Sequence, residues 1–278
     1  MNLGLAIVIL VVGESIAIGL MLLVRRRAPI GSFFKDTAEA AGVFAVVGTA
    51  FAVLLAFVFF LAFESYDAAR NDARKEAESA ISMFRTAQLF PAPASQRLEG
   101  DVQCYSRAVI EHEWPAMRHG DSSPLVQSWL EAMESTVHES PISGDKQTAA
   151  LSHWFDLSEM RQEGRRGRLA ESTSVVPPLV WLVIVLGGLV VVLYTCLFAD
   201  PSERRLSQSL MMVATSSMVL SSLLVVYFLD HPYRDQGGSI RPSAMRTALR
   251  VMEGAQGEKL APAALPCDAS GRPRRLAS

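Results

Sequence analysis

A single carboxylate, Glu14, interrupts the first apolar run of the chain, residues 3–24. A charged side chain near mid-bilayer costs about 2.5–3.5 kcal/mol on insertion scales, so Glu14 should face protein or water. One interpretation is an intramembrane ion or proton site. The other is a protonated structural glutamate that bonds to Thr49 or to a hydroxyl of the fourth apolar run, residues 210–229. The sequence leaves both open.

Hydroxyl side chains are concentrated in that fourth run. Ser216 and Ser217, together with Thr49, are the candidate partners of Glu14 in an ion or proton site. The run also holds Thr215, Ser221 and Ser222. Such a set could line a wet path, but Ser and Thr in helices also bond to backbone carbonyls one turn earlier, which we expect here.

Small residues recur at helical spacing in two other apolar runs. Gly48, Ala52 and Ala56 follow one another every four residues, and Gly187 is followed by Gly188. Because small residues let helices approach closely, this pattern predicts helix packing rather than a pore surface. The glycine pair could also bend its helix.

Arginines are concentrated just before the third apolar run. Arg165, Arg166 and Arg168 are candidates for contact with an anionic lipid or another anion, and Arg161 precedes them. A charge cluster beside a membrane helix is also a common membrane anchor.

Catalytic and metal chemistry is not predicted. Glu111, His112 and Glu113 are adjacent, but neighbouring residues point away from each other on a helix and lack ligand spacing. We find no phosphate-binding loop and no nucleophile motif, so we expect no enzyme, no metal and no cofactor. The formal net charge of −2 argues against a nucleic-acid partner.

Four apolar runs of bilayer length must position these residues. They are residues 3–24, 42–63, 175–198 and 210–229, and half of the 278 residues are hydrophobic. We predict an all-α membrane protein with four transmembrane helices in two hairpins and a helical-bundle soluble domain between them. The predicted parts are a hairpin at 1–63, a soluble domain at 64–174 continuous with the second and third membrane helices, a hairpin at 175–229, an interfacial amphipathic segment at 230–253 and a disordered tail at 254–278.

The three cysteines, Cys104, Cys196 and Cys267, offer neither a CxxC pair nor a disulfide framework, so they do not indicate a redox compartment. Positive charges do indicate an orientation. Arg25, Arg26, Arg27 and Lys35 lie in one short connection, and Arg204 and Arg205 lie in the other. By the positive-inside rule, both turns face the cytoplasm and the soluble domain lies outside the cell membrane.

Several stretches resemble a known family. They are residues 47–64 with Ala77, residues 105–115 (YSRAVIEHEWP), residues 165–169 (RRGRL), the Gly187-Gly188 pair, and residues 229–233 (LDHPY) followed by Gly238 and Pro242. The chain resembles bacterial bestrophin-like membrane proteins, a family of unknown function. It departs from the pattern at His231 and Tyr233, where we expect Arg and Phe, and this puts a local basic contact in doubt.

The resemblance implies a homo-oligomeric ion channel, by analogy with bestrophins, which are oligomeric anion channels with four membrane helices per subunit. Bestrophin-type topology would place the soluble domain in the cytoplasm, against the charge argument. Two hypotheses therefore follow. The chain passes ions through the lipid bilayer or regulates their passage, or it is a non-conducting interaction or sensing protein whose helical domain binds a partner.

Overall fold

The computed structural model describes residues 3–257 and 264–274, and the regular elements in that part of the chain are helices. The long ones are α1 (Leu3–Arg27), α2 (Thr37–Ala87), α3 (Ala94–Ala108), α5 (Pro124–Glu139), α6 (Asp145–Ala170), α7 (Pro178–Leu197), α8 (Arg205–Leu229) and α9 (Ser243–Gly257). Between α3 and α5 the chain continues as a π-helical turn (Val109–Glu113), a short α4 (Trp114–Ala116) and a 3₁₀ turn (Met117–His119).

The chain divides into two compact units. The membrane unit comprises the described part of Met1–Ser65, together with Ser174–His231 and Asp235–Gly238. The helical domain comprises Tyr66–Thr173, Pro232–Arg234 and the described part of Ser239–Ser278. Helix α2 is 51 residues long and contributes to both units, because no glycine or proline interrupts it where its composition changes from apolar to charged.

Four helices, α1, α2, α7 and α8, are long and apolar enough to cross a membrane. Most of their large apolar side chains are exposed, as expected for surfaces that face lipid. Within the membrane unit, α8 packs along α1 and α7. The arrangement of two hairpins that the sequence predicts stays a prediction.

Arg25 joins two connections of the membrane unit. Its guanidinium donates to Oε1 of Gln208 at 2.6 Å and to the backbone oxygens of Pro201 and Glu203 at 3.0 and 2.5 Å. The end of α1 and the turn between α7 and α8 therefore lie at the same end of this unit.

Asp230 closes the opposite end of α8 onto the start of α7. Its carboxylate accepts hydrogen bonds from the backbone N–H groups of Val175 and Val176, both at 2.8 Å, and from Nε1 of Trp181 at 3.1 Å. The Asp230 side chain is fully buried, so these donors replace the water that it loses. We interpret Asp230 as a structural residue that fixes the α7–α8 pair.

The core of the helical domain gathers apolar side chains from α2, α3, α5, α6 and α9. Its largest fully buried members include Phe84, Leu98, Tyr105 and Met117. Small residues face this core along α2, where Ala69, Ala73, Ala77 and Ala80 are buried. They allow the other helices to approach closely.

The prediction that helix α9 lies at the membrane interface is wrong. The apolar stripe of α9 was expected to lie at the membrane interface, but Met245, Ala248 and Met252 are buried in the core of the helical domain, where α9 packs on α3. An amphipathic face can be covered by lipid or by protein, and the sequence pattern is the same in both cases.

The predicted disordered tail also departs from expectation where the structure describes it. Cys267 forms a disulfide with Cys104 of α3, and a β-bridge joins Cys267 to Pro273. Nε1 of Trp129 donates to the backbone oxygen of Gly271 at 2.7 Å. The covalent link and this contact anchor a segment whose Ala, Pro, Gly and Arg composition is typical of disorder. The rest of the predicted tail, residues 258–263 and 275–278, lies outside the described residues.

Candidate functional site

The structure brings Glu14 of α1 to two hydroxyls of α8. Oε2 of Glu14 lies 2.6 Å from Oγ of Ser216, and Oε1 lies 2.9 Å from Oγ of Ser217. Ser216 is buried, and Glu14 is partly buried. The two helices pack directly against each other, so this polar group forms part of their interface.

Ser216 connects Glu14 to the backbone of its own helix. Its Oγ lies 2.6 Å from Oε2 of Glu14 and 2.7 Å from the backbone oxygen of Met212, one turn earlier in α8. A serine hydroxyl has one proton and two acceptor lone pairs, so it can bond to more than one group. The carboxyl group of α1 is therefore held against both a side chain and the backbone turn of α8.

Thr49, the other proposed partner of Glu14, is not brought to it. Its side chain is exposed on α2. Other hydroxyls of α8 bond to their own helix, as the sequence argument expected. Oγ1 of Thr215 donates to Met211, Oγ of Ser221 donates to Ser217, and Oγ of Ser222 donates to Met218. These hydroxyls do not form a continuous polar path with Glu14.

The small residues of α2 line an open groove of the membrane unit. Gly48, Ala52 and Ala56 face this groove together with Phe51 and Val219. A side chain added at Gly48 would meet nothing within 4 Å. This face therefore has no close partner in the described part of a single chain at that point.

Gly187 and Gly188 allow side chains of neighbouring helices to approach the backbone of α7 closely. A Cβ at Gly187 would lie 2.7 Å from the ring of Phe51, and one at Gly188 would lie 2.7 Å from Cγ1 of Val219. Helix α7 continues without interruption through both glycines. Of the two roles that the sequence allowed, the structure favours close helix packing over a bend.

A second cluster of charges lies inside the helical domain, around Arg168. Its Nε and Nη2 donate to Glu76 at 2.6 and 2.9 Å, and Nη2 also donates to Glu113 at 2.6 Å. All three side chains are fully buried. Tyr105 donates its hydroxyl to Oε1 of Glu76 at 2.6 Å, and the guanidinium lies 4.9 Å from the ring centre of Trp114.

Neighbouring charges outweigh burial in setting the pKa values of Arg168 and Glu113. Burial alone would lower the pKa of Arg168, but the negative charges of Glu76 and Glu113 raise it above its ordinary value. Burial alone would raise the pKa of Glu113, but Arg168 and Arg165 lower it. Arg168 and Glu113 therefore stay ionised at neutral pH.

Two of the three proposed anion-contact arginines thus have protein partners. Arg168 is enclosed, and Arg165 donates to Glu113 at 2.7 Å and to Oε1 of Gln127 at 3.3 Å. The prediction of a lipid or anion contact is wrong for Arg168, because two carboxylates already occupy its donors. Arg166 lines a cavity beside them.

Sequence reasoning missed Glu76 as the partner of Arg168. A signal was present, since Glu76 follows Ala73 by three residues and precedes Ala80 by four, which places a charge on the buried face of α2. Such a charge needs a buried partner. The sequence does not say which cation that is.

The structure does not test the prediction that the protein binds no metal, and it does not test the prediction that the protein is not an enzyme. Within the described residues, no group of three or more His, Cys, Asp or Glu side chains is arranged to hold a metal ion. Glu113 pairs with arginines, and His112 has a buried Nε2 with no hydrogen-bond partner in the described part of the chain.

At the departure from the family pattern, both replacements have structural contacts. Nδ1 of His231 lies 3.2 Å from the backbone oxygen of Tyr227. Tyr233 is buried in the helical domain, donates its hydroxyl to the backbone oxygen of Ala69 at 3.0 Å and meets the ring of Trp114 edge-on.

Comparison with known proteins gives a consistent result. A family model described as a bestrophin-like domain matches residues 11–245. A crystal structure of a bacterial bestrophin homologue from Klebsiella pneumoniae is similar, with a TM-score of 0.66 and 14% identity over 90% of this chain and 100% of that chain. Another crystal structure, described as a membrane protein, has a TM-score of 0.69 and 13% identity over 90% of this chain and 100% of that chain. None of the curated proteins matches. At these identities the solved structures establish a shared fold.

Proposed function

Because this chain belongs to the bestrophin-like family, we propose that it is a channel-like membrane protein that passes ions as a homo-oligomer, and that Glu14 controls this passage. The four apolar helices and the likeness to bestrophin homologues support a location in the membrane. The layout would be two membrane hairpins with the helical domain between them.

The observation that carries the proposal is the contact of Glu14 with Ser216 and Ser217. An acidic side chain within a membrane-spanning helix is a functional candidate by default, because its insertion is unfavourable. Here it joins two helices through one protonatable carboxyl group. Gain or loss of that proton would change the contact between α1 and α8, which couples protonation to the helix arrangement.

Oligomer formation is supported by the face of α2 that carries Gly48, Ala52 and Ala56. This face lines an open groove with an apolar surface. Small residues on a membrane helix favour close packing against another helix, and a second copy of the chain would supply one. In this proposal the oligomer surrounds the ion path.

Orientation is supported by the disulfide between Cys104 and Cys267 in the helical domain. Disulfides persist in oxidising compartments and are rare in the cytoplasm. The positive charges of the two short connections also favour their placement in the cytoplasm. Arg25, at the end of α1, donates to Pro201 and Gln208 beside the α7–α8 turn, so both connections lie at the same end of the membrane unit. We therefore place the helical domain outside the cell membrane, contrary to bestrophin-type topology.

The test of function is conductance in reconstituted bilayers. Glu14→Gln is nearly isosteric with a protonated glutamate and can bond to both serines, so it should assemble like the parent. Because it cannot release a proton, its conductance or its dependence on pH should change. Ser15→Ala is the matched control, since Ser15 is exposed on the same helix and donates to the backbone oxygen of Val11. If the parent passes no ion, or if Glu14→Gln conducts like the parent at every pH, the proposal fails.

A further inference from the structure

The helical domain contains an open cavity of about 750 Å³ that the ion-passage proposal does not use. Helices α2, α5 and α6 line it through residues that include Met83, Met133 and Trp154. Its volume lies within the range of small-molecule sites, which is roughly 300–1,000 Å³. Its walls combine apolar side chains with several polar groups.

Arg161 is the unusual residue of this cavity. It lines the cavity, is only 7% exposed, and has no hydrogen-bond partner for Nε or Nη1 among the described residues. Its guanidinium lies 5.3 Å from the ring centre of Tyr105, a contact that provides no acceptor for the N–H groups. Buried polar groups in folded proteins are nearly always hydrogen-bonded, and a buried cation without an acceptor is strongly unfavourable.

The neighbouring arginines show that the domain can supply acceptors where they are needed. Arg165 pairs with Glu113, and Arg168 pairs with both Glu76 and Glu113. Nε and Nη1 of Arg161, in contrast, have no carboxylate or other acceptor within hydrogen-bond distance among the described residues. Arg165 lines the same cavity but has Glu113 as its partner, so the missing acceptor is specific to Arg161.

We propose that the cavity binds a small organic carboxylate, with its head group on Arg161 and its apolar part against Met83, Met133 and Trp154. A guanidinium matches a carboxylate with two parallel hydrogen bonds. Exposed Glu134 and Glu159 also line the cavity, and their charges disfavour a dianion such as free phosphate. Exposed Arg166 lines the same cavity and offsets part of the negative charge of these two glutamates.

The experiment measures binding to the full-length protein in detergent by titration calorimetry, with three probes. Benzoate carries the carboxylate and an apolar ring, benzamide has the same shape without the charge, and inorganic phosphate has the charge without the ring. We expect saturable binding of benzoate, at least about tenfold weaker binding of benzamide, and no saturable binding of phosphate.

Variants separate the site from folding. Arg161→Met should abolish benzoate binding while the melting temperature without ligand stays equal to or above that of the parent, because an unpaired buried charge is removed. Arg118→Met is the matched control in the same domain, since Arg118 is exposed and does not line the cavity. It should bind benzoate like the parent.

Three results would overturn the proposal. The first is that the parent protein binds benzoate and benzamide with equal affinity. The second is that Arg161→Met binds benzoate as the parent does. The third is that Arg161→Met loses benzoate binding but also has a lower melting temperature than the parent. The last result would mean that Arg161 is a structural residue whose donors are met by water. The readout is binding to the helical domain and not conductance, so its result is independent of the proposal for Glu14.

Discussion

Nε of Arg168 lies 2.6 Å from Oε2 of Glu76, and neither side chain is exposed to solvent. This pair links α6 to α2 across 92 positions of sequence. Taking both charges out of water is costly, and the cost is offset only while each has its partner. Glu113 completes the group, because it accepts from Nη2 of the same arginine.

Loss of one partner should therefore be severe. Glu76→Gln leaves Arg168 with one carboxylate where it had two, and we expect a loss of about 3–5 kcal/mol in the free energy of unfolding. Urea unfolding in detergent, followed by tryptophan fluorescence, measures it. The comparison variant is Glu253→Gln, which removes the more exposed ion pair with Arg107 and should cost at most about 1 kcal/mol. Equal losses in the two variants would contradict this account of the buried cluster.

A second prediction concerns Asp101 of α3. Burial raises its pKa from 3.8 to about 6, although a hydrogen bond to Thr136 and the charge of Arg97 act in the opposite direction. Between these two values the folded chain holds a proton that the unfolded chain has released. The contribution of Asp101 to the free energy of unfolding therefore falls as pH rises from about 4 to about 6, by at most about 3 kcal/mol.

Asp101→Asn removes this dependence. The difference in unfolding free energy between the variant and the parent should grow in favour of the variant over this pH range and level off above it. Other titrating groups largely cancel in the difference. A difference that stays constant from pH 4 to pH 8 would show that Asp101 is not buried in this way.

How much was predictable depends on the distance over which each pattern acts. Four helices of bilayer length are local features of composition, and their presence was predicted. The contact of Glu14 with a hydroxyl of the fourth run was one of two alternatives, and the choice of Ser216 and Ser217 over Thr49 came from the packing of α1 on α8. The burial of Glu76 had a local signal, whereas its pairing with Arg168 had none.

The structure of the C-terminal region could not be predicted from its local sequence. Composition alone describes residues 264–274 as a flexible tail, but a covalent bond and the contact of Trp129 with Gly271 hold it. No local pattern contains this information, because the bonded cysteines are 163 positions apart. The expectation that the three cysteines form no disulfide framework is therefore wrong for Cys104 and Cys267.

The disulfide leads to a third prediction. After denaturation without reductant, one thiol per chain, that of Cys196, should react with a maleimide, and reduction should raise the number to three. The double variant Cys104→Ser, Cys267→Ser should lose about 2–5 kcal/mol in the free energy of unfolding. The single variant Cys196→Ser is the control and should keep the disulfide. Three reactive thiols without reductant in protein purified from cells would contradict both the bond and the outside placement of the helical domain.

The fourth prediction tests the packing of α6 on α2. A Cβ at Gly164 would lie 2.8 Å from both the backbone oxygen of Asp72 and the backbone nitrogen of Glu76. Backbone atoms of a helix cannot move aside as a side chain can, so Gly164→Ala must push α6 away from α2. That displacement also lengthens the contacts between Arg168 and Glu76. We expect a loss of at least about 1–3 kcal/mol in the free energy of unfolding, the usual cost when a close-packed interior has to accept an extra group.

The matched control is Gly254→Ala. Gly254 is also within a helix, α9, but a Cβ there would meet nothing within 4 Å. Alanine has the higher helix propensity by about 1 kcal/mol, so this variant should be equal to or more stable than the parent. The two variants make the same chemical change in the same domain, and their unfolding free energies should move in opposite directions. If both variants gain stability, α6 does not approach α2 as closely as the structure places it.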